Sequence, residues 1–137
     1  MFRQGSRWYS ILRLKCPRCQ QGEFLESHPY TFSDLNRVKN HCPQCGLKYQ
    51  LEPSFYYGSM YVSYAVGVAL AVGIFVLTQL LAPGMSLLAV FGCIVGGLVL
   101  LMPWIGAVSK SIWAHLFMAY DPKVARMVQD KRAKNKA

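Results

Sequence analysis

The apolar positions of this chain are gathered into one block. From Pro53 to Ser109 there is no Asp, Glu, Lys or Arg, and every charged residue lies outside that stretch. An element that faces water needs polarity on at least one side, so an uncharged run of this length points to lipid. It is long enough for two bilayer crossings, each of which takes about 20 apolar residues. The run breaks once, at Ala82-Pro83-Gly84-Met85-Ser86, where Pro and Gly oppose helix. The pattern predicts a membrane α-helical fold built on a two-helix transmembrane hairpin, with spans over 59–81 and 86–108.

Within the spans, small residues recur at helical spacing. Ser59, Ser63, Gly67 and Ala71 lie four apart and form one stripe. Gly92 and Gly96 make a GxxxG pattern, with Ala89, Cys93 and Gly97 on an adjacent line. Such stripes let backbones approach closely in lipid. Ser63, Gly67, Ala71, Gly92 and Gly96 are therefore the predicted helix-packing positions, within the hairpin or against a partner helix. Pro103 is expected to kink the second span near its end. Phe55, Tyr56, Tyr57, Tyr61 and Tyr64 cluster where the first span begins, as a headgroup-level aromatic belt would.

The flanks divide into three segments. Residues 1–15 alternate basic and apolar positions, and read either as a short amphipathic helix at the membrane surface or as a plain lead-in. They contain no continuous apolar run of the kind a signal peptide needs, so the hairpin is expected to serve as the insertion signal. Residues 16–52 form a polar module with few helix signals, expected to be short strands and loops. Residues 53–109 hold the hairpin. In residues 110–137, Ile112, Trp113, Leu116, Phe117 and Tyr120 suggest a C-terminal interfacial helix. Asp121-Pro122 should end it, and a basic tail follows, helical at first and frayed at its end.

Charge sets an orientation. The net charge is +9, and basic residues crowd both ends while the connection at Pro83-Gly84 carries none. The positive-inside rule then puts both termini in the cytoplasm and the turn outside. The same cations suit anionic lipid, and no nucleic acid is expected as a partner because they flank the membrane segment instead of forming a compact basic domain.

Two CPxC knuckles carry the sharpest chemical meaning: Cys16-Pro17-Arg18-Cys19 and Cys42-Pro43-Gln44-Cys45, the latter followed by Gly46. Each places two thiolates on one tight turn, and two such turns complete a tetrahedral site. In a reducing compartment stable disulfides are rare. Cys16, Cys19, Cys42 and Cys45 are the predicted metal ligands, with one zinc per chain favoured and iron, as in rubredoxin, the lesser alternative. Such a site has no open position for substrate, so it folds the module and performs no catalysis. Cys93 reads as a packing residue, His41 as a spare donor beside Cys42, His28 as a loop residue, and His115 as a headgroup-level residue. The spans contain no acid or base for ion transport. No nucleophile–base pair, phosphate loop or small-molecule substrate site is evident, so no catalytic residue is assigned and the chain is not expected to be an enzyme.

Leu14-Lys15-Cys16-Pro17-Arg18-Cys19, then Cys42-Pro43-Gln44-Cys45-Gly46-Leu47, then an aromatic lead and two spans, resemble the bacterial "domain of unknown function 983" family. Gly58-Ser59-Met60-Tyr61-Val62-Ser63-Tyr64-Ala65 is similar to its Bacteroidetes-type version. The resemblance runs from about Ile11 to Pro122; the long Gln20–His41 insert and the basic tail depart from it. It implies a small inner-membrane protein with a zinc ribbon and no established activity. Some members are encoded near haem–copper oxidase and oxidase-assembly genes. The expected role is a non-catalytic accessory subunit or assembly factor of a respiratory complex, whose partners are integral membrane subunits. The alternatives are a membrane-tethered electron carrier and a metal-delivery protein.

Overall fold

The computed structural model describes residues 6–34 and 36–137. Four helices follow in order: α1 (Arg7–Leu12), α2 (Ser59–Leu81), α3 (Leu87–Phe117) and α4 (Pro122–Lys136), with short 3-10 turns at Phe32–Asp34 and Phe55–Gly58. Helices α2 and α3 form the hairpin. The rest of the chain gathers at its open end.

The hairpin turn lies where the Pro-Gly break predicts. Gly84 adopts φ 104°, a conformation that an L side chain rarely takes. Ser86 then caps α3, its Oγ accepting from Ala89 N at 3.4 Å. Both helices are long and apolar enough to cross a membrane, and neither is the buried core of a soluble fold: 0% of the most apolar stretch of the first and 11% of that of the second is buried.

Their lengths differ in a way that shapes the molecule. The 23 residues of α2 extend about 35 Å, close to a hydrocarbon core of about 30 Å. The 31 residues of α3 extend about 46 Å and overshoot it. Burial along α3 changes accordingly. Among residues 87–104 only Val90 is buried, whereas Ile105, Ala107, Val108, Ser109, Ser111, Ala114 and His115 are all covered. The segment after residue 109 is thus no separate interfacial helix. Nothing between Ser109 and Phe117 breaks helical geometry, and Pro103 is accommodated within the same helix. Part of the apolar stripe on this extension meets the protein, while Leu116 stays exposed: Trp113 Nε1 donates to Phe55 O at 2.7 Å, and Phe117 packs edge-on against Phe55 with centroids 5.5 Å apart.

The packing of the hairpin also differs from the expected stripe. An added Cβ at Gly67, Gly92 or Gly96 would meet nothing within 4 Å, whereas one at Gly97 would lie 2.7 Å from Ile74 Cδ1. One residue turns a helix by about 100°, so the GxxxG face stands clear of α2, open to a partner helix, and Gly97 alone of its line makes the close approach. Ala71 is half-buried, while Ser63 and Gly67 line an open groove of about 530 Å³ against Leu98, Met102, Pro103 and Gly106.

At the open end, residues 15–50 form a module of loops. Isolated antiparallel bridges join Lys15 to Glu23, Leu25 to Val38 and His41 to Lys48, and no longer strand forms among the described residues. Phe24 and Tyr49 are fully buried at its centre, their rings edge-to-face at 5.0 Å. The Tyr49 hydroxyl donates to Glu23 O at 3.2 Å. Tyr56 in turn donates to Tyr49 O at 2.9 Å and ties the module to the start of α2.

The two ends of the chain join this module. Of the segment 1–15, residues 1–5 lie outside the described residues; beyond them a short helix does form, and α1 buries Ser10 and Ile11 and packs on α3. Helix α4 continues to Lys136 without fraying. Asp121 caps it, accepting from Lys123 N at 2.9 Å and Val124 N at 3.4 Å, and Pro122 occupies its first turn. Ala125 and Val128 are its buried positions.

Gly58 sits where module and hairpin meet, and a methyl group there would overlap the Trp113 ring. Gly58→Ala is expected to destabilise the junction by about 1–3 kcal/mol. Trp113→Phe, which removes the bond to Phe55 O and part of the ring packed on Gly58, should cost about 1–3 kcal/mol. Gly67→Ala, facing open space, should instead raise stability by up to about 1 kcal/mol through helix propensity. Thermal unfolding in detergent, followed by near-ultraviolet circular dichroism, ranks the three.

Candidate metal centre

Each knuckle is built by a backbone turn around its first cysteine. In the first, Gln20 N donates to Cys16 O at 2.9 Å and Cys16 N donates to Gly22 O at 2.9 Å. In the second, Gly46 N donates to Cys42 O at 3.0 Å and Cys42 N donates to Leu47 O at 2.8 Å. Both turns need a left-handed residue immediately after the second cysteine. Gly46 supplies it at φ 71°, and Gln20 adopts it at φ 55° despite its side chain. The two knuckles therefore share a geometry although their sequences diverge after the cysteine pair.

The turns aim four sulfurs at one point. The Sγ atoms of Cys16, Cys19, Cys42 and Cys45 all lie within 4.8 Å of one another. Two separations between the knuckles, Cys16 to Cys45 and Cys19 to Cys42, are each 3.7 Å. A tetrahedron of sulfurs about 2.3 Å from a central ion has edges of about 3.8 Å. The same distances exclude disulfides, whose S–S bond is about 2.05 Å, and all the cysteines are free. Four soft thiol donors in this arrangement fit a tetrahedral metal ion.

Burial and mutual contact set their protonation. Thiol contacts from Cys16 and Cys19 hold Cys42 well below the usual thiol range. Its contacts with Cys19 and Cys42, together with burial, hold Cys16 well above it. Burial pushes the Cys45 thiol up to about 12. One thiolate is thus easily formed, and the full anionic set requires a cation at its centre. Burial likewise drives the Tyr49 phenol up, aided by the nearby Cys16 sulfur, so the ring stays neutral beside the cluster.

The surroundings seal the site. Cys16, Cys19 and Cys42 are buried and Cys45 is half-buried. A Cβ on Gly22 would overlap Cys42 Sγ, so Gly22 makes room for a sulfur of the opposite knuckle. Its position in the sequence, beyond Gln20-Gln21, gave no hint of that contact. Helix α4 covers the first knuckle: Gln21 Nε2 donates to Ala125 O at 3.2 Å, and Arg18 pairs with Asp121 at 3.7 Å. From the other side, the Ser10 hydroxyl lies 3.2 Å from Cys16 O and 3.0 Å from His115 Nε2. His115 is therefore a buried link between α1 and α3, not a headgroup-level residue.

The other candidates stay apart. His41 is exposed and outside the sulfur cluster. His28 accepts from Tyr30 N at 3.4 Å in a loop. Cys93 is exposed on the outer surface of α3. Gly92 and Gly96 likewise stand clear of α2.

Fold and site together define a class: a small helical protein in which an apolar hairpin carries a four-cysteine module at its open end. The family model described as "Protein of unknown function (DUF983)" matches residues 32–117, and the chain belongs to that family. The match takes in the second knuckle and both long helices but begins after the first knuckle, so it is narrower than the sequence resemblance. No curated protein and no solved structure matches the chain.

Two substitutions separate metal binding from thiol number. Cys42→Ser is expected to abolish metal retention and open the module to protease, leaving the helicity of α2 and α3 intact. Gly22→Ala keeps all four thiols but displaces one. It should weaken metal retention about 10- to 100-fold, measured by competition with a chromogenic chelator. Apparent affinity should rise with pH in both the parent and the Gly22 variant, because binding releases thiol protons.

Proposed function

We propose that the protein is a two-pass component of a bacterial inner membrane, with both termini in the cytoplasm. In this reading it is a non-catalytic accessory subunit or assembly factor of a larger membrane complex. The observation that carries the reading is the closed sulfur site: four protein thiols fill the tetrahedron and leave no position for substrate. Zinc is the metal that suits such a structural role. The hairpin supports a membrane partner, because its apolar surface is exposed on nearly every face, including the outward Gly92–Gly96 stripe. Both flanks are basic and the Pro83-Gly84 turn is uncharged, which supports the orientation. The module then forms a cytoplasmic docking surface fixed to the hairpin. A respiratory complex, such as a haem–copper oxidase, is the partner suggested by the family's gene neighbourhoods.

A second reading is a membrane-tethered, rubredoxin-like electron carrier. The same four sulfurs accept iron, and Cys45, the least buried of them, offers a route for electrons to the surface.

Purification from native membranes in mild detergent tests both. The expected result is one zinc per chain and stoichiometric co-purification of membrane subunits, identified by mass spectrometry and by haem absorbance. Isolation as a lone zinc protein would sink the subunit reading. One iron per chain, with visible absorbance that bleaches on reduction, would establish the carrier.

A further inference from the structure

Helix α4 does more than cover the first knuckle. Its residues 122, 125, 126, 129 and 132 follow helical spacing along one stripe, and this stripe faces back toward α1 and the knuckle. The walls are fixed by the Gln21–Ala125 bond, the Arg18–Asp121 pair and a bond from Asp121 N to Arg18 O at 3.3 Å. Between them lies a cleft of about 520 Å³, within the usual range of about 300–1,000 Å³ for ligand sites.

The charged side chains of the cleft are all cations. Lys15, Arg126 and Arg132 line it, with Tyr9, Tyr120 and Gln129 among the neutral groups; the metal-site thiol Cys19 borders it on the knuckle side, and no carboxylate lines it. Glu23 and Asp121 are engaged elsewhere, and Asp130 of α4 does not line the cleft. Glu23 accepts from Lys39 at 3.1 Å, and that contact, with the fields of Lys15 and Arg132 beyond it, holds its carboxyl below the usual range. Asp121 caps α4 and pairs with Arg18. Among the described residues, none of the three cleft cations forms an ion pair. Three like charges converging on one concave space repel one another, and a bound anion relieves that repulsion. Two guanidinium groups favour oxyanions that accept paired bonds, above all phosphate, and phenol and amide groups supply further donors.

We propose that this cleft is a binding site for a phosphate group, with Lys15, Arg126 and Arg132 as its cationic contacts. The phosphate belongs either to a soluble ligand or to an anionic lipid headgroup. The remaining cations of α4, Lys123, Lys131, Lys134 and Lys136, do not line the cleft, so a diffuse basic field and a discrete site make different predictions.

The test uses the full-length, metal-loaded protein in phosphatidylcholine nanodiscs. Inorganic pyrophosphate is titrated by calorimetry, and lipid retained after detergent exchange from phosphatidylglycerol nanodiscs is read by native mass spectrometry. Arg126→Gln with Arg132→Gln is compared with Lys131→Gln with Lys134→Gln, which removes equal charge from the same helix. Saturable pyrophosphate binding, weakened about tenfold or more in the cleft pair and spared in the control pair, identifies a soluble phosphate ligand. Retained phosphatidylglycerol with the same pattern, without pyrophosphate binding, identifies a headgroup site. Equal loss in both pairs, or no saturable binding of either probe, overturns the proposal. Metal content and thermal midpoint check that α4 remains docked. If the Arg pair unfolds, Lys15→Gln on the facing wall takes its place, with the same outcomes deciding.

Discussion

Four sulfurs brought within 4.8 Å of one another repel as thiolates and gain little as thiols, so the constraint on the module is that this cluster calls for a central cation. Among the described residues no continuous β-ladder holds the module together; three isolated bridges do. A segment of this size buries too little apolar surface to fold by packing alone. The cysteine set closes a loop from residue 16 to residue 45 and brings the bridges into register around Phe24 and Tyr49. Metal affinity in such a module is folding energy.

The module is then secured to the hairpin by elements from both ends of the chain. The Ser10 hydroxyl has one proton and lies near Lys15 O, Cys16 O and His115 Nε2. His115 Nδ1 is 2.6 Å from Ser111 O, a carbonyl that can only accept. In the neutral imidazole Nδ1 therefore carries the proton, and Nε2 accepts from Ser10. With its one proton given to His115, this serine joins α1 to the extension of α3. On the opposite side, Lys110 Nζ donates to Asn36 O at 2.7 Å and pins the long insert to the same helix. The overshoot of α3 beyond bilayer thickness makes these contacts possible, since a helix ending at residue 108 would carry neither Lys110 nor His115.

The hairpin and the sulfur cluster were legible in the sequence because each rests on a local pattern: an uncharged run with one Pro-Gly break, and two CPxC pairs. What stayed hidden shares a cause. The stripe on 112–120 has the period of a helix on a surface, but period does not name the partner: Phe55 takes part of it, and Leu116 stays exposed. GxxxG marks a face able to pack tightly, but not against what; inside the hairpin it is Gly97, on the adjacent small-residue line, that makes the close contact. Ser10, Gly22 and His115 act through partners distant in sequence, so no spacing rule could single them out. Gln20 concealed the likeness of the two knuckles, since a left-handed turn is read from glycine and here a longer residue adopts it.

The architecture also limits how the module can serve a partner. Trp113 bonds to Phe55, Tyr56 bonds to Tyr49, and Tyr49 lies fully buried in the cysteine core. This path runs from the end of α3 through the start of α2 to the sulfurs with no flexible linker. A tethered domain on a loose linker searches for its target, and its linker sets its effective concentration. A domain fixed to its membrane helices instead presents one surface at one height and angle. Pre-organisation of that kind reduces the entropy that any docking event would lose.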